Sequence, residues 1–358
     1  NGKNKFINKI KKSKKNNEFA NTIITHKKGH ATSEILQKIL SGDDNETDYY
    51  QMKQKDLYDD DEYYIRLIPK SDESIQKILD KIKNTGTKLG NICNVNTGIM
   101  GGCDYINNKN IYYCTSEDLI KNDIKIGDGV FVLDENNDRD KKIIYKLKDS
   151  NFLFKFYKNS DIKKFTTCNL TSKYIIYSSK TNNAYNNSII KDHLDKFKSI
   201  LIKIREINNE QIDLFPYLRR GTSNENIFIS PKIVAPQRSP RNTFGYNEIP
   251  WYASADVYFI TQKDENVSLK YILALLNSKL YYLWLYYRGK RKGEFLELYQ
   301  KPLSEIPIKI VPQMDQQPFI DLVDKILAAK KDNPQADTTA WEKEIDQLVY
   351  KLYELTDE

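Results

Sequence analysis

The chain has 358 residues and a mass of 42.0 kDa, with 39% hydrophobic and 29% charged residues, a globular composition that excludes wholesale disorder despite a mean hydropathy of -0.66. Lys and Arg number 56 against 49 Asp and Glu, and the resulting +7 permits an anionic partner without naming one. The longest apolar stretch, 271–287, is interrupted by Asn277, Ser278 and Lys279, so it falls short of the ~18 unbroken apolar residues of a membrane span.

Residues 1–15 carry seven Lys and no acid, whereas 43–62 carry nine acids against Lys53 and Lys55. This polarised start, 1–85, reads as a connecting region, with a short helix in 25–38 anchored by Ile35 and Leu36 and, just beyond, Leu40. Ser71 is a suitable N-cap for a helix whose apolar stripe is Ile75, Ile78, Leu79 and Ile82 and which Gly86 stops. Residues 86–268 then read as a β-rich domain. Runs of β-branched and aromatic residues predict strands at 129–133, 143–147, 152–157 and 174–178, bounded by turn pairs such as Asp128-Gly129 and Asn136-Asn137. Ile190, Leu194, Phe197, Leu201 and Ile204 are spaced 4, 3, 4 and 3, which predicts one long inserted helix with His193 on its solvated side. Strands are expected again at 227–229, 232–235 and 251–261, with Pro231, Pro236, Pro240 and Pro250 at turns or edges. The last region, 269–358, reads as a buried helix at 271–287, a Pro-bounded strand at 306–311 and two apolar seams. Phe319, Val323 and Ile326, then Trp341, Ile345, Leu348, Leu352 and Leu355, pair as a helical hairpin. The fold class is therefore α+β: a mixed, mostly antiparallel β domain with inserted helices, followed by a C-terminal helical hairpin.

Familiar catalytic chemistry is missing from the sequence. No two of the eleven prolines are adjacent, so the polar-Pro-Pro-aromatic grip that a base-amine methyltransferase places on a flipped base is absent. The single Gly-x-Gly, Gly127-Asp128-Gly129, precedes a predicted strand and is read as a turn, not as a nucleotide cradle. No Glu-x-Lys occurs, and three His with no G-x-S-x-G give a hydrolase triad little to build on. Cys93, Cys103, Cys114 and Cys168 lack C-x-x-C spacing, which favours reduced cysteines filling core gaps over zinc or a disulfide scaffold.

Binding chemistry is better represented. Residues 219–246 hold five basic residues, Arg219, Arg220, Lys232, Arg238 and Arg241, against Glu225, a net of +4. The arginine fork can bond a guanine edge or a phosphate through two donors, and Gln237 and Asn242 can do the same for adenine. With Tyr246 and two prolines close by, 236–246 reads as a rigid reading loop, the alternative being a solvated basic hairpin. A second cluster, Arg288, Lys290, Arg291, Lys292 and Lys301 against Glu294 and Glu297, nets +3 and suits phosphate contact, or a charged turn between helices. Asn96-Thr97-Gly98-Ile99-Met100-Gly101-Gly102 offers backbone amides to a ligand, or is a purely structural turn.

The order of these segments carries a resemblance. Leu89-Gly90-Asn91-Ile92-Cys93, Asn96-Thr97-Gly98-Ile99 with Gly102, Phe156-Tyr157-Lys158-Asn159-Ser160-Asp161-Ile162 and Lys232-Ile233-Val234-Ala235-Pro236-Gln237-Arg238 together resemble the TaqI-like C-terminal specificity domain. The tail, with Leu275-Leu276-Asn277-Ser278-Lys279-Leu280, Leu303-Ser304-Glu305-Ile306-Pro307-Ile308 and Ile345-Asp346-Gln347-Leu348-Val349-Tyr350-Lys351-Leu352-Tyr353, is similar to the end of type IIG restriction-modification enzymes and related adenine methyltransferases. The resemblance spans roughly 89–355. It implies a non-catalytic module that recognises double-stranded DNA by sequence, adding Lys158 and Asn159 to the DNA-binding set. It implies a cytoplasmic setting, and a methyltransferase domain upstream in the same polypeptide, from which this piece is cut. That domain would use S-adenosylmethionine, and Mg2+ where the parent also cleaves; no cofactor is expected in the fragment. Two rivals remain at this point: a protein-interaction scaffold resembling a restriction specificity subunit, and an enzyme with an unrecognised site, for instance around Asp161 and Lys163.

Overall fold

The computed structural model describes residues 20–26, 32–42, 47–53, 58–59, 64–65 and 73–355. The chain divides into two units, 1–77 and 78–358. In the first, strands Ala20–His26 and Thr47–Lys53 pair antiparallel along their whole length, with Ala20 opposite Lys53. The short helix falls later than expected, at Ser33–Ser41 instead of within 25–38, because Thr32 caps it by accepting from Ile35 N at 3.3 Å and the left-handed Gly42 closes it. The expected Ser71 cap lies outside the described residues.

The second unit takes in most of helix α1 (Glu73–Thr85), whose stripe buries Leu79 and Ile82 as the sequence predicts. Strand β1 (Cys93–Thr97) follows, then β2 (Val132–Asp134), helix α2 (Asp138–Leu147), β3 (Leu153–Tyr157) and β4 (Lys173–Ile176). Residues 143–147, expected as a strand, belong to α2. Asn137 accepts from the backbone N–H groups of Arg139 and Asp140, which starts a helix, and the helix then buries Asp140, Ile144 and Leu147 at helical spacing. The expected single helix 190–204 is two, α3 (Ser188–Asp195) and α4 (Lys198–Ile207), which part at Phe197. His193 is not solvated: its ring lies in the core and donates from Nε2 to the Val130 carbonyl at 2.9 Å. Burial pushes its pKa down to about 4.

Next come β5 (Lys232–Pro236), β6 (Arg238–Ser239), β7 (Gly245–Asn247), β8 (Tyr252–Ala253) and β9 (Val257–Gln262). The expected strand 227–229 is a single helical turn, Asn226–Ile229, that turns Phe228 inward onto Tyr252, with ring centroids 5.0 Å apart, and onto Phe259. The expected 251–261 strand is interrupted at Ser254–Asp256, which sends its two halves into different sheets. The helix expected at 271–287 breaks into α5 (Leu269–Asn277) and α6 (Lys279–Tyr287), because Ser278 is extended and its hydroxyl donates to Leu275 O while accepting from Tyr281 N. Short strands β10 (Arg291–Lys292) and β11 (Phe295–Glu297) precede the hairpin of α7 (Gln313–Asp332) and α8 (Thr339–Leu352); the first seam, Phe319, Val323 and Ile326, is buried as expected, whereas α8 buries Ile345, Asp346 and Val349, leaves Trp341, Leu348 and Leu352 half-buried and ends before Leu355. Of the expected strand 306–311 only Pro307–Ile308 pairs, with Thr87–Lys88.

The pairing gives an antiparallel sheet in the order β7-β5-β9-β1 and a mixed sheet β8-β3-β4-β2 in which β8 runs parallel to β3. A third, small sheet has the order β6-β11-β10. Within the mixed sheet Phe154 of β3 stacks on Tyr252 of β8 at 4.2 Å and Tyr157 on Trp251, just before β8, at 4.7 Å, contacts each worth ~0.5–1.5 kcal/mol beyond the area they bury. Their polar ends are satisfied, since Trp251 Nε1 donates to Cys168 O and Tyr252 Oη donates to Glu225. All four cysteines are free; Cys93 and Cys103 are buried, Cys114 and Cys168 half-buried. Among the described residues no helix is long and apolar enough to cross a membrane.

Candidate nucleic-acid interface

The small sheet joins the two basic segments. β6 pairs antiparallel with β11, placing Arg238 directly across from Glu297, and β10 pairs with β11 on its other side. Arg238 Nε lies 3.2 Å from Glu297 Oε1, and its Nη2 donates to Tyr299 Oη at 3.1 Å. Lys290 Nζ approaches the other carboxylate oxygen at 3.1 Å and sits 4.8 Å above the Tyr299 ring. Glu297 is only 5% exposed. Burial by itself would lift its carboxyl, but the hydrogen bonds and charges of Lys290 and Arg238 together hold it below the usual carboxylate range. Arg238 remains 46% exposed, and among the described residues its Nη1 bonds no protein atom.

A bridge leads from this sheet to a cleft of about 450 Å³ lined by the 99–105 loop, Lys158, Arg219 and Asp256. Gln237 N donates to Asp256 O at 2.7 Å, and Gln237 O accepts from Leu298 N, so the backbone beside Arg238 is held from both directions. In the cleft, burial raises the Asp104 carboxyl, with Lys158 pulling it the other way. Asn159 opens a 3-10 turn, Asn159–Asp161, in which Asp161 accepts from Lys158 N at 2.8 Å; Asp161 is thereby a cap. Arg219 is committed to Glu210, its Nε lying 2.9 Å from both carboxylate oxygens, and Arg205 joins them at 3.2 Å. Gly102, at φ +95°, leaves room for that arrangement, since a Cβ there would fall 2.5 Å from Arg219 Cδ. Gly98 is enclosed in the same way: a Cβ would collide with the Ser254 and Ala253 carbonyl oxygens. The glycines of this loop are thus occupied by backbone and by Arg219, which is the structural reading of the turn.

The remaining expected residues separate by what they touch. Arg220, Arg241 and Lys292 are exposed. Arg291 stacks its guanidinium 3.9 Å from the centroid of the Tyr286 ring, and Arg288 reaches Asp80 at 3.5 Å. Tyr246 donates its hydroxyl to Glu248 and lies under Lys270, 5.5 Å from its ring. Asn242, expected on an adenine, is buried and donates from Nδ2 to Leu276 O and Ser278 O, both at 2.8 Å. Lys232 belongs to the interior: it is 0% exposed, donates to Ser230 O and Ile249 O, and burial lowers its pKa to about 8. Glu297 and Tyr299 are what sequence reasoning missed. In the sequence Glu297 is merely an acid to subtract from a basic run, and only the β6–β11 register shows that it stands opposite Arg238.

The family model for the TaqI-like C-terminal specificity domain matches residues 154–308. Two type II methyltransferases of Haemophilus influenzae, M.HincII and M.HindII, are each 45% identical to this chain over 60 residues, which is 16% of this chain and 12% and 11% of theirs. The chain thus spans a small fraction of the length of the curated relatives it matches. Among solved structures, that of the type IIL restriction-modification enzyme MmeI in complex with DNA superposes with a TM-score of 0.52 at 12% identity, covering 76% of this chain and 35% of that one, a likeness of fold. Residues 154–308 of this chain are a TaqI-like C-terminal specificity domain.

Proposed function

We propose that this chain is the sequence-specific double-stranded DNA recognition module of a restriction-modification system. The observation that carries the reading is the meeting of the two basic segments on Glu297 within the matched domain, which leaves the open end of an arginine fork at the surface. Exposed cations such as Arg220, Arg241 and Lys292 set the register on phosphates, and Arg238 reads a base edge in the major groove. The fragment itself is non-catalytic. In the full system it works in the cytoplasm beside an adenine-methylating domain of the same polypeptide, as in type IIG enzymes, to which it presents the target. S-adenosylmethionine, and Mg2+ where the parent also cuts, belong with that domain. In support of that reading, the glycine loop at 98–102 offers S-adenosylmethionine no open cradle, since Cβ positions at Gly98 and Gly102 are taken by the Ser254 and Ala253 carbonyls and by Arg219.

The test is selection of duplexes from a random library by the whole chain, followed by affinity measurements on the enriched and scrambled duplexes at two salt concentrations. Enrichment of one sequence, with discrimination that survives added salt, is expected. Binding without enrichment, or no binding to duplex DNA, would refute the reading.

A further inference from the structure

We infer that Glu297 is the positioning residue that fixes the Arg238 fork for a guanine in duplex DNA, an inference that rests on the DNA-recognition reading above. The argument starts from what each donor of Arg238 does. Nε faces Glu297 Oε1 at 3.2 Å, and Nη2 donates to Tyr299 Oη at 3.1 Å. One side of the guanidinium is therefore held. The hydrogens of Nη1 and the second hydrogen of Nη2 point past the end of the side chain, and two parallel donors so arranged match the O6 and N7 acceptors of guanine in the major groove.

Glu297 cannot turn away from this task. Its second oxygen is taken by Lys290 at 3.1 Å, its backbone N–H donates to Lys290 O at 2.8 Å, and Tyr299, which bonds Arg238, also donates to Glu297 Oε1 at 3.3 Å. Arg238 and Glu297 are direct cross-strand partners, so the β6–β11 register sets the spacing. A long arginine on a surface loses rotamer freedom when it binds, and prior fixing removes that loss. A merely structural ion pair would turn its donors inward. Here the arginine is 46% exposed while its carboxylate partner is buried, so the pair leaves part of the guanidinium open to a ligand.

The experiment uses the whole chain and the duplex it selects from a random library, with Glu297→Gln, Arg238→Lys and the double variant. Glu297→Gln is expected to lose on the order of tenfold in discrimination at one guanine position while its affinity for scrambled duplexes is unchanged. Replacing that guanine by 7-deazaguanine should weaken the wild-type chain by a similar factor and the variant hardly at all. Arg238→Lys keeps the charge on an exposed side chain and should reproduce the loss, and the double variant should be no worse than either single one. Equal effects of Glu297→Gln on selected and scrambled duplexes, or no effect of 7-deazaguanine at any position, would overturn the inference. If the wild-type chain enriches no sequence, the DNA-recognition reading falls and this inference with it. Enrichment of a sequence that Glu297→Gln still discriminates sinks this inference alone.

Discussion

His193 gives the sharpest test of the core. Its ring is surrounded by apolar side chains, with Phe197 edge-on at 5.3 Å, and its one hydrogen bond goes to Val130 O at 2.9 Å. Burial is the main cause that lowers its pKa from 6.5 to about 4; Lys196 adds to the effect, while the Val130 bond and Asp128 oppose it. The unfolded chain therefore binds a proton at a pH where the folded chain does not. Stability is fully present above about pH 6.5 and is lost as the pH falls toward 4. At ~1.4 kcal/mol per unit, a shift of this size corresponds to about 3 kcal/mol, a large part of a typical margin of stability. Urea unfolding of wild type and His193→Gln from pH 7.5 to 4 measures it. The glutamine amide can still donate to Val130 O but does not titrate, so the difference between the two proteins removes the carboxylates common to both. That difference should move by about 3 kcal/mol against the wild type across the range. A pH-independent difference would show that the histidine takes up its proton without disturbing the core, and the burial argument would be wrong.

Lys232 titrates in the opposite part of the scale. With its folded pKa lowered to about 8 from 10.5, wild type should gain about 3 kcal/mol over Lys232→Met between pH 8 and 10.5, as read from thermal unfolding of the pair. Gly98→Ala forces a methyl group onto two backbone carbonyls and should cost ~1–3 kcal/mol or more in urea unfolding; a neutral result would mean that the loop can move aside. Arg219 and Arg220 are adjacent but should behave differently. Arg220→Ala should reduce the salt slope of DNA binding by about 1 with the fold intact, whereas Arg219→Ala should cost about 2 kcal/mol of stability by stripping Glu210 of its main partner. Identical behaviour of the two variants in both assays would contradict the division between surface and interior.

Periodicity exposed the elements that pack along a single face. Leu79 and Ile82 in α1 and Phe319, Val323 and Ile326 in α7 are buried at spacings that include three residues, which share a face of a helix but fall on opposite faces of a strand. Short β-branched runs carry no such signature. Ile143-Ile144-Tyr145 would suit a strand as well as a helix, and the choice was made by the Asn137 cap and by Asp140, which accepts from Gly129 N and Asp134 N. The 3- and 4-residue spacing from Ile190 to Ile204 runs through Phe197 without a sign of the break, since both helices bury the same side. His193 looked solvated because its neighbours in sequence are charged, but the deciding neighbour, Val130, lies 63 residues away. The basic composition of the candidate interface was legible; its organisation was not. Arg238 and Glu297 are 59 residues apart and meet only through strand pairing, and Asn242 is drawn inward by helix-end carbonyls that no local pattern announces.

The interruption at Ser278 works as a splice between distant parts of the chain. Asn277 accepts from Phe244 N and donates to Phe244 O, Asn242 answers with bonds to Leu276 O and Ser278 O, and Asp346 of α8 accepts from Lys279 N at 2.8 Å. A continuous helix would have tied up the Leu276 carbonyl and the Lys279 N–H internally, removing bonds by which Asn242 and Asp346 reach this turn. The C-terminal hairpin and the 242–244 segment are thereby both fastened to the same turn at 276–279, Asp346 on one side and Asn242 and Phe244 on the other.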